Sequence, residues 1–124
     1  MDWKFDGSED IIDSRDILER IEELNEKFPL DFDEHEEHAA LLELAEKAEG
    51  SPGWRYGETL IRESYFEEYI EQLIDDCFPE VSKALSSSEW PMRHLKLDIE
   101  EAAREAQVDY FEVEYNGQTY LIRA

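Results

Sequence analysis

Carboxylates are the residues with which this chain could do chemistry: 34 Asp and Glu stand against 12 Lys and Arg, a formal charge of −22 over 124 residues. Four uses are open to so many acids. Pairs of carboxylates can act as general acid and base, but no pair stands out among 34 candidates, and such chemistry needs a shaped cleft. Carboxylates with histidines can hold a metal. Glu34, His35, Glu37 and His38 form the one such cluster, with the histidines one helical turn apart. It lacks a supporting Cys or His at zinc-site spacing, and a solvated first helical turn is the favoured explanation. Acids at helical spacing can form a negative row, since side chains three or four apart lie ~5–6 Å apart at Cβ. Duplex DNA carries a charge per ~1.7 Å of axis, with successive phosphates on one strand rising ~3.4 Å, so such a row can imitate a phosphate backbone. Finally, the acids can simply keep a surface soluble or adapt it to high salt, where Lys is scarce; only five Lys occur here.

Charge of this sign repels nucleic acid and attracts a basic partner. There is no Gly-rich phosphate loop, no G-x-S-x-G and no supported Cys–His pair, and the basic residues are scattered. The expectation is a binding protein rather than an enzyme, with no cofactor and no direct contact to nucleic acid. No apolar run reaches membrane-spanning length. Met1 to Asp10 lacks the order of a signal peptide, and a single cysteine, Cys77, suits a reducing cytosol. A cytoplasmic protein is expected, with Cys77 packed in the core.

These acids must be carried by helices. The length fits one domain, and 41% hydrophobic residues supply a core. Trp3 and Phe5 sit in an acidic arm that is loose or forms a short edge strand. A helix is predicted over 14–28, capped by Asp13 or Ser14, with Ile17, Leu18, Ile21, Leu24 and Phe28 on one face. A second is predicted over 34–49, with Asp33 and Glu36 as a capping box and Leu41, Leu42, Ala45 and Ala48 as its stripe. Residues 50–53 form a turn, the one candidate internal boundary. Charge does not change across it: 18 acids and 5 bases precede Gly50 (net −13), and 16 acids and 7 bases follow (net −9).

Thr59, Leu60 and Ile61 are a short strand or a loop. Ser64 with Glu67 opens a third helix lined by Phe66, Tyr69, Ile70, Leu73 and Cys77, which Pro79 ends. Val81 to Leu85 adds a turn. Leu95 and Leu97 alternate with charges like a short strand, and Asp98 with Glu101 caps a helix carrying Ile99, Ala102, Ala103 and Ala106. Phe111, Val113 and Tyr115, then Asn116-Gly117, then Tyr120 and Ile122 read as a β-hairpin with a type I′ turn. The fold class is therefore α+β: a body of three or four helices with a small C-terminal antiparallel sheet packed on the Asp98–Gln107 helix. Tyr65, Phe66, Tyr69, Tyr110, Tyr115 and Tyr120 belong mostly to its core; any exposed as a patch would favour self-association.

Residues 54–124 carry a family resemblance. Tyr56-Gly57-Glu58-Thr59-Leu60-Ile61 followed by Tyr65-Phe66-Glu67-Glu68-Tyr69, then Leu97-Asp98-Ile99-Glu100-Glu101-Ala102-Ala103-Arg104 leading to Asp109-Tyr110-Phe111, and the closing Val113-Glu114-Tyr115-Asn116-Gly117-Gln118-Thr119-Tyr120 resemble the ArdA-type antirestriction proteins. The resemblance implies an elongated, usually dimeric protein that mimics bent DNA and fills the DNA groove of type I restriction–modification enzymes in a bacterial host. Such proteins are carried by phages, plasmids and transposons. Family members are typically longer, with a further N-terminal α/β region, and usually have Trp where Ile99 and Leu121 stand here. A shorter mimic covers fewer base pairs, so a CRISPR effector, a repressor or a nucleoid protein are alternative targets.

The expected partner-binding acids are Asp16, Glu19, Glu22, Glu23 and Glu26 on the first helix and Glu36, Glu37, Glu43 and Glu46 on the second. Glu67, Glu68, Glu71 and Asp75 on the third complete the set. The rival reading is an acidic adaptor that binds a basic protein without imitating DNA; a third is a small metal-dependent enzyme using Glu34, His35 and His38.

Overall fold

A computed structural model describes residues 3–27 and 29–124. Strand β1 (Ile11–Asp13) leads into helix α1 (Ser14–Glu26), which is followed by α2 (Phe32–Ala48) and strand β2 (Thr59–Arg62). Helices α3 (Phe66–Cys77), α4 (Pro79–Leu85) and α5 (Ile99–Ala106) follow, then strands β3 (Tyr110–Tyr115) and β4 (Gln118–Arg123). The four strands form one antiparallel sheet in the order β1-β2-β4-β3. The α+β class is as expected. The sheet is larger than the C-terminal hairpin, because β1 and β2 add to the free edge of β4.

Side-chain alternation explains how this sheet is covered. Ile12, Leu60, Val113, Tyr115, Tyr120 and Ile122 face one way, onto Ile17, Ile21 and Leu24 of α1 and Leu41, Leu44 and Ala48 of α2, with Trp54 closing the end. Ile61 and Leu121 face the other way, onto Phe66 and Ile70 of α3 and Ala103 of α5. Central strands buried on both faces read as continuous apolar runs, which is why Tyr120, Leu121 and Ile122 are all buried. Ala103 is the small residue that lets α5 lie close.

The 50–53 turn is no boundary. Ile12 pairs with Leu60 across it, and Ser14 N–H donates to the Glu58 carbonyl (2.9 Å).

Helix ends follow local chemistry, with some shifts from expectation. Asp13 caps α1, accepting from Arg15 N–H (2.8 Å). Phe28, assigned to the apolar face of this helix, lies outside the described residues. Helix α2 begins two residues early, because Asp31 and Glu34, not Asp33 and Glu36, form the reciprocal box (2.8 and 3.2 Å). A 3-10 turn over Glu63–Tyr65 precedes α3, which therefore lacks a side-chain cap. Asp98 caps α5 from Glu101 N–H (3.1 Å). Asn116 and Gly117 both take positive φ (49° and 80°), as a type I′ turn requires.

Three further sequence expectations fail. The buried stripe of α2 is Glu37, Leu41, Leu44 and Ala48, so Leu42 points outward. Cys77, the last residue of α3, is exposed rather than packed; the buried residues of that helix are Phe66 and Ile70. Leu95 and Leu97 form no strand and are exposed. Indeed no residue from 78 to 97 is fully buried.

The arm over residues 3–10 is neither loose nor a strand. Trp3 and Phe5 pack against the α1/α2 side of the core. Trp3 Nε1–H donates to Asp33 (3.3 Å). The Tyr115 hydroxyl donates to the Phe5 carbonyl, and that of Tyr120 to the Glu9 carbonyl (2.7 Å). Burial, with Glu9 nearby, pushes the Tyr120 hydroxyl from 10.0 up to about 12; burial raises Tyr115 also. A hydroxyl with a raised folded pKa stabilises the fold below its unfolded value and loses that contribution as pH climbs through the folded one. Stability should therefore fall between pH 10.0 and about 12, followed by denaturant unfolding alongside tyrosinate absorbance. Tyr120→Phe should flatten that fall and cost about 1 kcal/mol at neutral pH.

Candidate functional site

The thirteen carboxylates proposed from the sequence divide by environment. Asp16, Glu19, Glu22 and Glu26 on α1, Glu36 and Glu46 on α2, and Glu67, Glu68, Glu71 and Asp75 on α3 are exposed. None of these joins an ion pair among the described residues. Glu23 is exposed but paired with Arg20 (3.0 Å), and Glu43 is paired with Lys47 (3.2 Å).

Glu37 is a correction. It is 1% exposed and belongs to the inner stripe of α2, so no partner can reach it. Arg20 donates to both of its oxygens, Nε at 2.8 Å and Nη2 at 2.9 Å. Lys4 N–H adds a third bond at 3.2 Å. The helical phase of α2 that buries Leu41 and Leu44 also carries Glu37 inward, four residues before Leu41. A buried carboxylate survives only when fully hydrogen-bonded and neutralised; Arg20 meets both needs, and these bonds raise its own pKa.

The histidine cluster comes apart. His38 Nε2 is hydrogen-bonded to Asn25 Oδ1 of α1 (2.7 Å). Glu34 serves the α2 cap and pairs with Lys27, which lowers its carboxyl below the usual range. Among the described residues no group of three or more His, Cys, Asp or Glu is placed to hold a metal ion.

Rows can be followed along each helix. On α1, Asp16, Glu19, Glu22 and Glu26 succeed one another at intervals of three or four residues, covering about 15 Å of axis at ~1.5 Å per residue. Glu36, Glu43 and Glu46 run along α2, and Glu67, Glu71 and Asp75 along α3. Helices α1 and α2 pack together on one face of the sheet, while α3 lies on the other. The tertiary structure thus gathers the α1 and α2 rows and sets the α3 row apart. On the other side of the sheet two carboxylates oppose each other: desolvation and the neighbouring Glu112 raise the Glu63 pKa.

Two features escaped sequence reasoning. An open groove of about 590 Å³ runs between α1 and α2 toward Trp54. Leu18, Ile21, Leu42 and Ala45 line its floor with Trp54, and Glu19, Glu22 and Glu49 its rim, with Arg15 and Arg55 also on its wall. The adjacent pair Leu41-Leu42 was its only sequence signal, since one helix face cannot bury both. The second feature is the stretch 78–97. It holds two acidic and three basic residues in a chain of charge −22 and exposes Phe78, Val81, Trp90, Leu95 and Leu97, Trp90 to 75%.

Among the described residues no helix is long and apolar enough to cross a membrane. No protein-family model, curated protein or solved structure matches the chain.

Removing Arg20 tests the reading of Glu37. Arg20→Ala leaves a carboxylate buried without its cation and should cost about 3 kcal/mol in urea unfolding. Glu22→Gln on the same helix should be neutral or slightly stabilising, because it only relieves repulsion.

Proposed function

We propose that the protein is an acidic DNA mimic that inhibits a DNA-binding protein of a bacterial defence system by occupying its DNA groove. Its target in this reading is a type I restriction–modification enzyme. The mechanism is competitive occupancy without covalent chemistry, cofactor or metal. The observation that carries the reading is the state of the acids: ten of the thirteen are exposed and in no ion pair among the described residues. A surface adapted merely for solubility gains nothing from leaving like charges in rows, where repulsion costs stability.

Helix spacing supports the same reading. Helices α1 and α2 pack side by side on one face of the sheet, so two acidic rows lie on neighbouring helices, as two phosphate strands lie side by side across a groove. The resemblance of residues 54–124 to ArdA-type proteins adds a target class. Residues 78–97, nearly neutral and apolar, suit self-association into a dimer, because two chains of −22 meet at least cost where charge is lowest.

Each exposed carboxylate contributes only ~0.2–1 kcal/mol, so binding must come from many. Binding to a purified type I enzyme should weaken steeply with added salt, and duplex DNA and this protein should exclude each other. Changing Asp16, Glu19, Glu22 and Glu26 together to their amides should weaken inhibition about tenfold or more. Simultaneous binding with duplex would favour the adaptor, and a flat salt response would refute mimicry. In sedimentation, Trp90→Glu with Leu97→Glu should convert a dimer to a monomer; a monomeric parent protein refutes self-association.

A further inference from the structure

We propose that the α1–α2 groove is a docking site for a basic amphipathic helix of a protein partner. DNA has no counterpart to this feature: a phosphate row needs only charge, whereas this trough has an apolar floor. Leu42 is 45% exposed at the centre of α2, where the phase of the helix denies it the core. Leu18 and Ala45 beside it are half-buried, and Trp54 closes the end. About 590 Å³ is room for two or three large side chains, which is what a helix offers at positions i, i+3, i+4 and i+7 when it lies in a groove.

Charge selects the occupant. Glu19 and Glu22 stand on the α1 rim and Glu49 on the α2 rim, with Glu46 one turn before it. These repel nucleic acid, an anionic membrane surface and an acidic peptide. They also repel the acidic helices of a second copy of this chain, and its α4, with one Glu and one Lys, brings no net positive charge to the rim. A helix with apolar residues on one face and Lys or Arg beside them satisfies floor and rim together. Arg15, paired with Asp13, and Arg55 lie at the end of the groove near Trp54, where the carbonyls at a helix C-terminus would meet them favourably. The docked helix therefore points its C-terminus toward Arg55. DNA-binding proteins commonly present such helices to the major groove, so this site rests on the mimicry reading for the kind of partner but not for its chemistry.

The test uses the full chain and a synthetic peptide of about 20 residues, with Leu at i, i+3, i+4 and i+7 and Lys or Arg elsewhere. A shuffled peptide of the same composition, without an apolar face, is the control. Titration calorimetry should show the amphipathic peptide binding at least about tenfold more tightly than the shuffled one. Leu42→Asp should weaken it about tenfold, the scale of losing a half-buried leucine contact, although the substitution adds a negative charge. Pure Coulomb attraction predicts the opposite sign for that variant. Equal binding of both peptides, no binding of either, or unchanged or tighter binding to Leu42→Asp overturns the proposal. Should thermal melting show that Leu42→Asp is unfolded, Leu42→Ser replaces it with the same expected loss. Groove binding without exclusion of duplex from the restriction enzyme would sink mimicry alone. Exclusion of duplex with binding insensitive to Leu42 would sink the groove alone.

Discussion

Burial on both faces of β2 and β4 is the constraint on which everything else rests. A chain of charge −22 repels itself in its compact state, and only removal of apolar surface from water can offset that. Leu60 beside Ile61, and Tyr120, Leu121 and Ile122 in succession, place buried groups on either side of one thin sheet. Helices then dock on each face, and their outer surfaces are free to carry acid. A sheet covered on one side would have left less apolar burial and less room for charge.

Within that frame the exceptional carboxylate is informative. Glu37 is held inside by three hydrogen bonds, two of them from Arg20. It links α2 to α1 and to the backbone of the N-terminal arm, which Trp3, Asp10, Tyr115 and Tyr120 tie down further. Arg20 also reaches Glu23, so one of the chain's few cations is committed to architecture. Asp13, Glu34 and Glu43 likewise take up Arg15, Lys27 and Lys47. Four of the five Lys and Arg before Gly50 are thus paired within the chain, while most acids of the rows beside them keep their charge.

The groove and the 78–97 stretch arise from the same accounting of apolar residues. Helix α2 has more of them than its inner face can use, so Leu42 is displaced outward. Helix α3 turns Phe66, Ile70 and Ile74 to the core and leaves Leu73 and Cys77 exposed, and α4 follows with no fully buried residue. In a chain so strongly charged, exposed apolar groups are places where contact is not opposed by repulsion alone.

Local chemistry settled much of this in advance. Asn116-Gly117 dictated its turn because few residues accept positive φ, and Asp98 with Glu101 marked the start of α5. The spacing of Ile17, Ile21 and Leu24 set the inner face of α1, and the acid rows followed from helical period alone. Other features needed distant partners. Whether Thr59–Ile61 was strand or loop depended on β1 and β4 arriving on either side. Glu37 read as one more surface acid because nothing within a few residues of it foretold Arg20, seventeen positions away. Periodicity states which residues share a face, but only packing decides which face turns inward, and that choice buried Glu37, exposed Leu42 and opened the groove between the first two helices.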